Sequence, residues 1–403
     1  MSTPQRAPRN IEHHGDLPLR ARNATLEDLA AMLKDQQARK VDVVAPATAV
    51  RSEGGTWVVD GTEPTLTADG VTASAGRYTP TGVADEGMAD KLGIPVGYLK
   101  RLRADRPDLY DATTNGLLHG TAAGHPVHPD LPAADADPRS FLVRAFRGDN
   151  GTGVARAFLS DRYRIVDHLD VLTAALQGVR DAGANVEVTS CDLTDRRMHV
   201  KVAAPDVAEL APDLLGDYRS PFTGHRGAEN PTVFAGFVLS NSETGGGALT
   251  ITPRITFRVC DNGMTLTKDA LRNVHLGGKL EQGVIRWSDD TQARNLELVA
   301  AQARDAVATF LDVEYVRGAL DRIRAKAGHE VEDAPKVVQH VARTLTFGQD
   351  AADGILDHFI RGGNPTAGGV LNAVTSYAQT VEDADRAAEL EAGALAALDL
   401  AAR

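Results

Sequence analysis

Apolar positions change their spacing along the chain, and each change predicts a different kind of element. Leu26, Leu29, Met32 and Leu33 recur at helical spacing behind Thr25 and Asp28, a hydroxyl and a carboxylate placed to cap a first turn, so a helix is predicted over residues 26–38. Short β-rich segments follow at Val41–Val44, Ala49–Arg51, Thr56–Val59 and Val71–Tyr78, divided by turn signals at Gly54-Gly55 and Asp60-Gly61. They predict a small sheet or ribbon.

Helical spacing returns over residues 83–118. Within it, ADKLGIPVGYLKRL sets Ala89, Gly93 and Leu99 at the spacing of a helix-turn-helix, and Lys100, Arg101, Arg103 and Arg106 make its second helix basic. A DNA-reading helix has this character; so does any helix pair joined by a tight turn. From Gly120 to Pro138 no apolar period survives, which marks a loop or boundary.

From Arg139 to Thr267 the pattern is β-like, through FLVRAFR, GVARAFLS, NVEVTS, RRMHVKVA, TVFAGFVLS and ALTITPRITFRVC, with one helix inserted near Leu169–Val179. Beyond residue 288 the chain reads as helix, including amphipathic stretches at Ala293–Phe310 and Val316–Ala327, and no fixed-period repeat suggests a solenoid. The expected fold class is therefore α+β. A central, mainly antiparallel sheet with an inserted helix would occupy residues 139–278, between a small N-terminal α/β region at 1–119 and a helical region at 288–403.

Composition narrows the chemistry. The 403 residues carry a formal charge of -12, which opposes a surface uniformly coated with phosphate-binding groups but leaves room for a local basic patch. Cys191 and Cys260 are too few for a disulfide framework or a thiolate zinc site. No apolar run reaches the ~18–20 residues that span a bilayer, and Met1–Asp16 is polar, so a cytoplasmic protein without membrane contact is expected. His13, His14, His125 and His128 lie in polar segments without a fixed third ligand, and no metal or other cofactor is expected.

Phosphate-cradling loops, nucleophile elbows, HExxH and paired CxxC motifs are all missing. Glu243, Asp261 and His275 are candidates for a dispersed metal or acid/base site, although their spacing gives no test of convergence. Asp261-Asn262-Gly263 reads first as a turn.

The strongest local signal is strand alternation. Arg197, His199 and Lys201 fall opposite Met198, Val200 and Val202, while Arg254, Thr256 and Arg258 fall opposite Ile255, Phe257 and Val259. Arg144 shares a face with Phe146, and Arg156 with Val154 and Phe158; Arg162, Tyr163 and Arg164 follow in SDRYR. On one sheet these arginines would meet phosphates, while Phe146, Phe158 and Tyr163 would stack on unpaired bases. A solvated face balanced by carboxylates has the same pattern.

The order of FLVRAFRG, RAFLSDRYRIVDHLDVL, LSNSETGGGALTITPRITFRVCDNGM and HLGG resembles the phage/plasmid-like protein family of unknown function, over residues 139–278. The resemblance implies a mobile-element setting and DNA metabolism; a helix-bearing sheet with an Arg/aromatic face is similar in outline to single-strand annealing proteins. The leading expectation is a non-catalytic single-stranded-DNA-binding protein that assists annealing, recombination or replication, in which homo-oligomerisation would array sites along a strand. The alternatives are a metal-dependent nuclease or other phosphate-ester enzyme, and a duplex-binding regulator that uses residues 89–103.

Overall fold

In the computed structural model, residues 3–403 are described except 61, 63–64, 68–69, 73, 125–132, 164, 260 and 274–288. A hairpin of β1 (Asn10–His14) and β2 (Leu17–Ala24) leads into α1 (Leu26–Arg39). Strands β3 (Lys40–Pro46), β4 (Val50–Glu53), β5 (Thr56–Val59), β6 (Thr65–Thr67), β7 (Gly70–Thr72) and β8 (Gly76–Pro80) precede α2 (Gly82–Leu92), α3 (Val96–Asp105) and α4 (Pro107–His119). Next come β9 (Ser140–Phe146), β10 (Thr152–Ser160), α5 (His168–Asp181), β11 (Glu187–Leu193), β12 (Met198–Leu210) and the single turn α6 (Pro212–Leu215). The last strands are β13 (Thr232–Asn241), β14 (Leu249–Phe257), β15 (Asn262–Thr265) and β16 (Leu271–Asn273). Helices α7 (Asp289–Phe310), α8 (Val313–Ala327), α9 (Ala334–Thr344), α10 (Gln349–Gly362), α11 (Ala367–Ala378) and α12 (Ala384–Ala401) complete the chain.

The fold is α+β and its strand pairing is mainly antiparallel, but the strands divide between two principal sheets. The larger has the order β1-β2-β11-β12-β13-β14-β15, with β16 also on β14; the smaller has the order β3-β9-β10-β8-β5-β4, with β8 and β10 parallel. The two sheets interleave in sequence. The N-terminal hairpin enters the sheet of β11–β15, whereas β9 and β10, expected in a central sheet, join strands from the N-terminal region.

Local chemistry accounts for the helix starts. Thr25 and Asp28 exchange side-chain-to-backbone bonds of 3.1 and 2.9 Å, so α1 begins with the reciprocal cap its sequence predicts. The stretch expected to be helical over 83–118 forms three helices, and the first break falls at Gly93, whose φ of +70° suits a residue without a Cβ.

Each sheet buries an apolar face. Met198, Val200, Val202, Phe237 and Leu239 pack with Leu29 and Met32 of α1, Val171 and Leu172 of α5, and Val299 and Val307 of α7. A Cβ on Gly178 would lie 2.2 Å from the Ala300 carbonyl oxygen, so α5 and α7 approach closely only because glycine stands there. On the smaller sheet, Trp57, Phe141 and Phe158 pack with Met88, Leu99 and Tyr110 of α2–α4. The helices α8–α12 build a further core that takes in Val233, Ile255, Phe257 and Met264.

Candidate functional site

The arginines of β9 and β10 lie in the interior, where the two sheets meet. A bulge between Ala155 and Ala157 makes Arg156 an extra residue in the ladder, so Arg156 lies over the Phe146 ring at 4.2 Å while Phe158 packs on the opposite face with Trp57 and Phe141. Arg144 has no exposed side-chain surface. Its Nε and Nη2 reach the two Asp42 oxygens at 2.8 and 3.0 Å, its Nη2 also reaches Asp167 Oδ1 at 2.7 Å, and its Nη1 donates to the Glu243 carbonyl at 2.9 Å.

Glu243 completes this cluster. Its Oε2 lies 2.6 Å from Arg156 Nη2, and its Oε1 accepts the backbone N–H of His168, the first residue of α5. Asp167 occupies the N-cap position of α5 but makes no capping bond; its oxygens serve Arg144 and Lys40 instead. The cap is thus supplied by a distant carboxylate. Asn241 donates to the Val166 carbonyl at 3.1 Å and lies 3.0 Å from His168 Nδ1, which sets that nitrogen as the acceptor.

Arg144, Arg156 and Lys40 face Asp42, Asp167 and Glu243, so the cluster is balanced in formal charge. Burial opposes ionisation of Glu243, but the positive charges around it more than offset that cost and hold its carboxyl far below the usual range. Asp167 is held low by Arg144 and Lys40 against burial in the same way. Burial pushes the His168 imidazole down to about 4, consistent with a neutral ring accepting from Asn241. Among the described residues, Asn241 Oδ1 is buried here without a hydrogen-bond partner.

The second arginine face is also covered. Glu391 of α12 lies 2.9 Å from Lys201 and 3.5 Å from Arg254, and Asp385, at the start of the same helix, lies 3.0 Å from His199. Alternation therefore finds the polar face of β12 and β14 correctly, while its occupant is an acidic helix of the same chain. Arg144, Phe146, Arg156, Phe158, Lys201 and Arg254 are all buried, which corrects the expectation that they face a bound strand.

Among the remaining expected residues, Arg162, Arg197 and Arg258 are exposed, Tyr163 is half-buried, and Arg164 lies outside the described residues. Arg197 donates to the Gly246 carbonyl and adjoins the Asn241 end of β13, whereas Arg258 follows β14 beside the Thr232 end and lies over Phe234. A strand of that length separates them by about 30 Å, so they form no continuous groove.

The helix-turn-helix expectation leads to a more open surface. Leu99 and Leu102 of α3 are buried, while Val96, Gly97, Tyr98 and Arg101 are exposed, the Arg101 side chain by 81%. Sequence reasoning placed Lys100, Arg101, Arg103 and Arg106 on this helix pair without their partners. Arg103 meets buried Asp85 at 2.6 Å, Arg106 meets Asp108 at 2.6 Å, and Lys100 and Arg196 converge on one oxygen of Glu86 at 2.6 and 2.5 Å. Among the described residues, Arg101 makes only a longer 3.5 Å approach to Asp105.

Behind α2 and α3 lies a cleft of about 470 Å³, lined by six carboxylates and four cations, among them Arg20, Glu86, Lys100, Arg196 and Asp385. Its excess of carboxylates makes it unsuited to a phosphate backbone. Among the described residues no group of His, Cys, Asp and Glu stands where it would hold a metal ion, and no helix is long and apolar enough to cross a membrane. Cys191 is buried, with its thiol pushed up to about 12 by burial and Asp192. Cys260, His125, His128 and His275 lie outside the described residues.

No family model, no curated protein and no solved structure matches the chain. The likeness to the phage/plasmid-like family rests on the motifs quoted above.

Proposed function

We propose that the chain binds duplex DNA through the exposed face of α3. The observation that carries this reading is the grouping of Val96, Gly97, Tyr98 and Arg101 on the open side of a helix whose other side is fixed by Leu99 and Leu102. An α-helix fits the major groove, and the first turns of the second helix in such a pair meet base edges. Arg101 supplies a two-pronged donor suited to guanine, and Val96 an apolar contact suited to the thymine methyl group.

Lys91 and Arg139 adjoin the α2–α3 turn, where Arg139 Nη2 donates to the Lys91 carbonyl. Each of these cations has a carboxylate partner that a DNA phosphate would displace, so binding should be weak without the right base sequence and steep in its salt dependence. The motifs that resemble a mobile-element family favour a role in regulating or maintaining such an element, in the cytoplasm.

The test uses the full chain, selected and random labelled duplexes, and single strands, over a salt series with and without magnesium. Sequence-selective duplex binding that falls at least tenfold in Arg101→Ala and Tyr98→Ala, but not in Arg258→Ala, is expected. Absence of duplex binding at low salt overturns the reading. Preferential single-strand binding would restore the annealing hypothesis, and magnesium-dependent cleavage would identify a phosphate-ester enzyme.

A further inference from the structure

We propose that Ser240, His199 and Asp385 form an acyl-accepting site, with Ser240 as nucleophile, His199 as its base and Asp385 as the positioning carboxylate. Ser240 Oγ lies 2.8 Å from His199 Nδ1, and His199 Nε2 lies 3.0 Å from Asp385 Oδ1. Thr194 holds the other Asp385 oxygen with a 2.7 Å bond. These contacts arise from three separate parts of the fold: the β12–β13 register sets His199 opposite Ser240, and the first turn of α12 brings Asp385 to the far side of the ring.

The hydrogen-bond directions suit the chemistry. An Nε2–H donated to Asp385 leaves the Nδ1 lone pair free to accept the Ser240 proton, which is the division of labour a nucleophile, base and carboxylate require. Burial opposes the Asp385 charge, but bonds from His199 and Thr194 outweigh it and keep this carboxyl below its ordinary range. His199 is buried while Ser240 is half-buried, so the base is shielded and the nucleophile remains approachable. Exposed Arg197 is a diagonal neighbour of Ser240 on the same face, which points to an ester whose acyl group carries a negative charge.

In the reaction, Ser240 Oγ adds to the ester carbonyl carbon while its proton passes to His199 Nδ1. The carbon–oxygen bond to the leaving alcohol then breaks, and the alcohol departs with that proton. Water repeats the sequence on the acyl-serine, releasing a carboxylic acid and restoring the hydroxyl. No oxidant, reductant or metal is required. None of the three residues belongs to α3, so Arg101→Ala and Tyr98→Ala, which remove exposed α3 side chains, leave the site in place.

The first experiment treats the full chain with a fluorophosphonate, which forms an oxygen–phosphorus bond at an activated serine and releases fluoride, and maps the adduct by mass spectrometry. Labelling at Ser240 is expected, along with hydrolysis of a p-nitrophenyl ester bearing a carboxylate on its acyl group. Ser240→Ala should abolish both and, because it deletes one half-buried hydroxyl, should retain the fold. His199→Gln should slow labelling by about 100-fold or more, and Asp385→Asn should change its pH profile. Absence of an adduct at Ser240 in folded protein overturns the proposal. So does labelling that is unaffected by His199→Gln, since the three residues would then serve only to pin α12 to the sheet.

Discussion

Glu243 caps α5 from 75 residues away, its Oε1 accepting the His168 backbone N–H while its Oε2 meets Arg156 at 2.6 Å. One side chain thereby satisfies a helix terminus and neutralises an arginine where the two sheets meet. Its removal leaves Arg144 and Arg156 buried with one carboxylate fewer. Glu243→Ala should cost about 3–5 kcal/mol, measurable as a lower urea midpoint. Glu243→Gln, which keeps an oxygen for the His168 N–H, should cost less; equal losses would show that the charge, rather than the cap, dominates.

Acid should weaken the protein in two stages. His168 and His358 are both depressed to about 4 by burial. The unfolded chain therefore binds their protons first, and the stability they contribute is complete above about pH 6.5 and falls as pH drops towards 4. Each should contribute a slope of about 1.4 kcal/mol per pH unit in that window. Glu243, Asp167 and Glu391 have lowered values, so their contribution is retained above about pH 4.3 and lost as pH falls through their folded values. Melting temperatures between about pH 2 and pH 8 test this: His358→Gln should halve the slope of the first stage without altering the second.

The contact between α12 and the larger sheet gives a separate test. Glu391 serves both Lys201 and Arg254, so Glu391→Ala should destabilise the fold by about 3–5 kcal/mol, whereas replacing all three with apolar residues of similar volume should recover much of that loss. Comparing the single and triple variants by urea denaturation distinguishes an internal ionic contact from a surface whose loss the fold would tolerate.

Gly87 links packing to the proposed DNA surface. A Cβ there would lie 2.4 Å from the Phe158 carbonyl oxygen, so Gly87→Ala must lift α2 from β10. A cost of about 1–3 kcal/mol is expected, together with weaker duplex binding, although no exposed side chain of α3 has changed. Unchanged binding in the destabilised variant would separate the seat of α2 from recognition.

The sequence makes local structure legible where adjacent residues determine it. Thr25 and Asp28 announce α1, Gly93 marks the turn before α3, and the alternation of Arg197, His199 and Lys201 gives the correct two-sided strand. Occupancy of those faces depends on remote residues: Glu391 is 190 positions from Lys201 and bears no local sign that it will cover it. The bulge at Arg156 exposes another limit, because one extra residue turns Phe158 away from the face that simple alternation assigns. The exposed side of α3 was within reach from its helical spacing, whereas the intramolecular partners of its basic residues required the tertiary fold.

The hairpin of β1 and β2 ends at Ala24, yet its neighbour β11 begins only at Glu187. During synthesis at roughly 5–20 residues per second, the edge of β2 must wait about 8–30 s for that neighbour to emerge. Its buried Ala21 and Ala24 lack their ladder partners Leu193 and Cys191 throughout that interval. Slower translation would lengthen this exposure, and with it the time for which the open β2 edge can pair with other chains before the larger sheet closes.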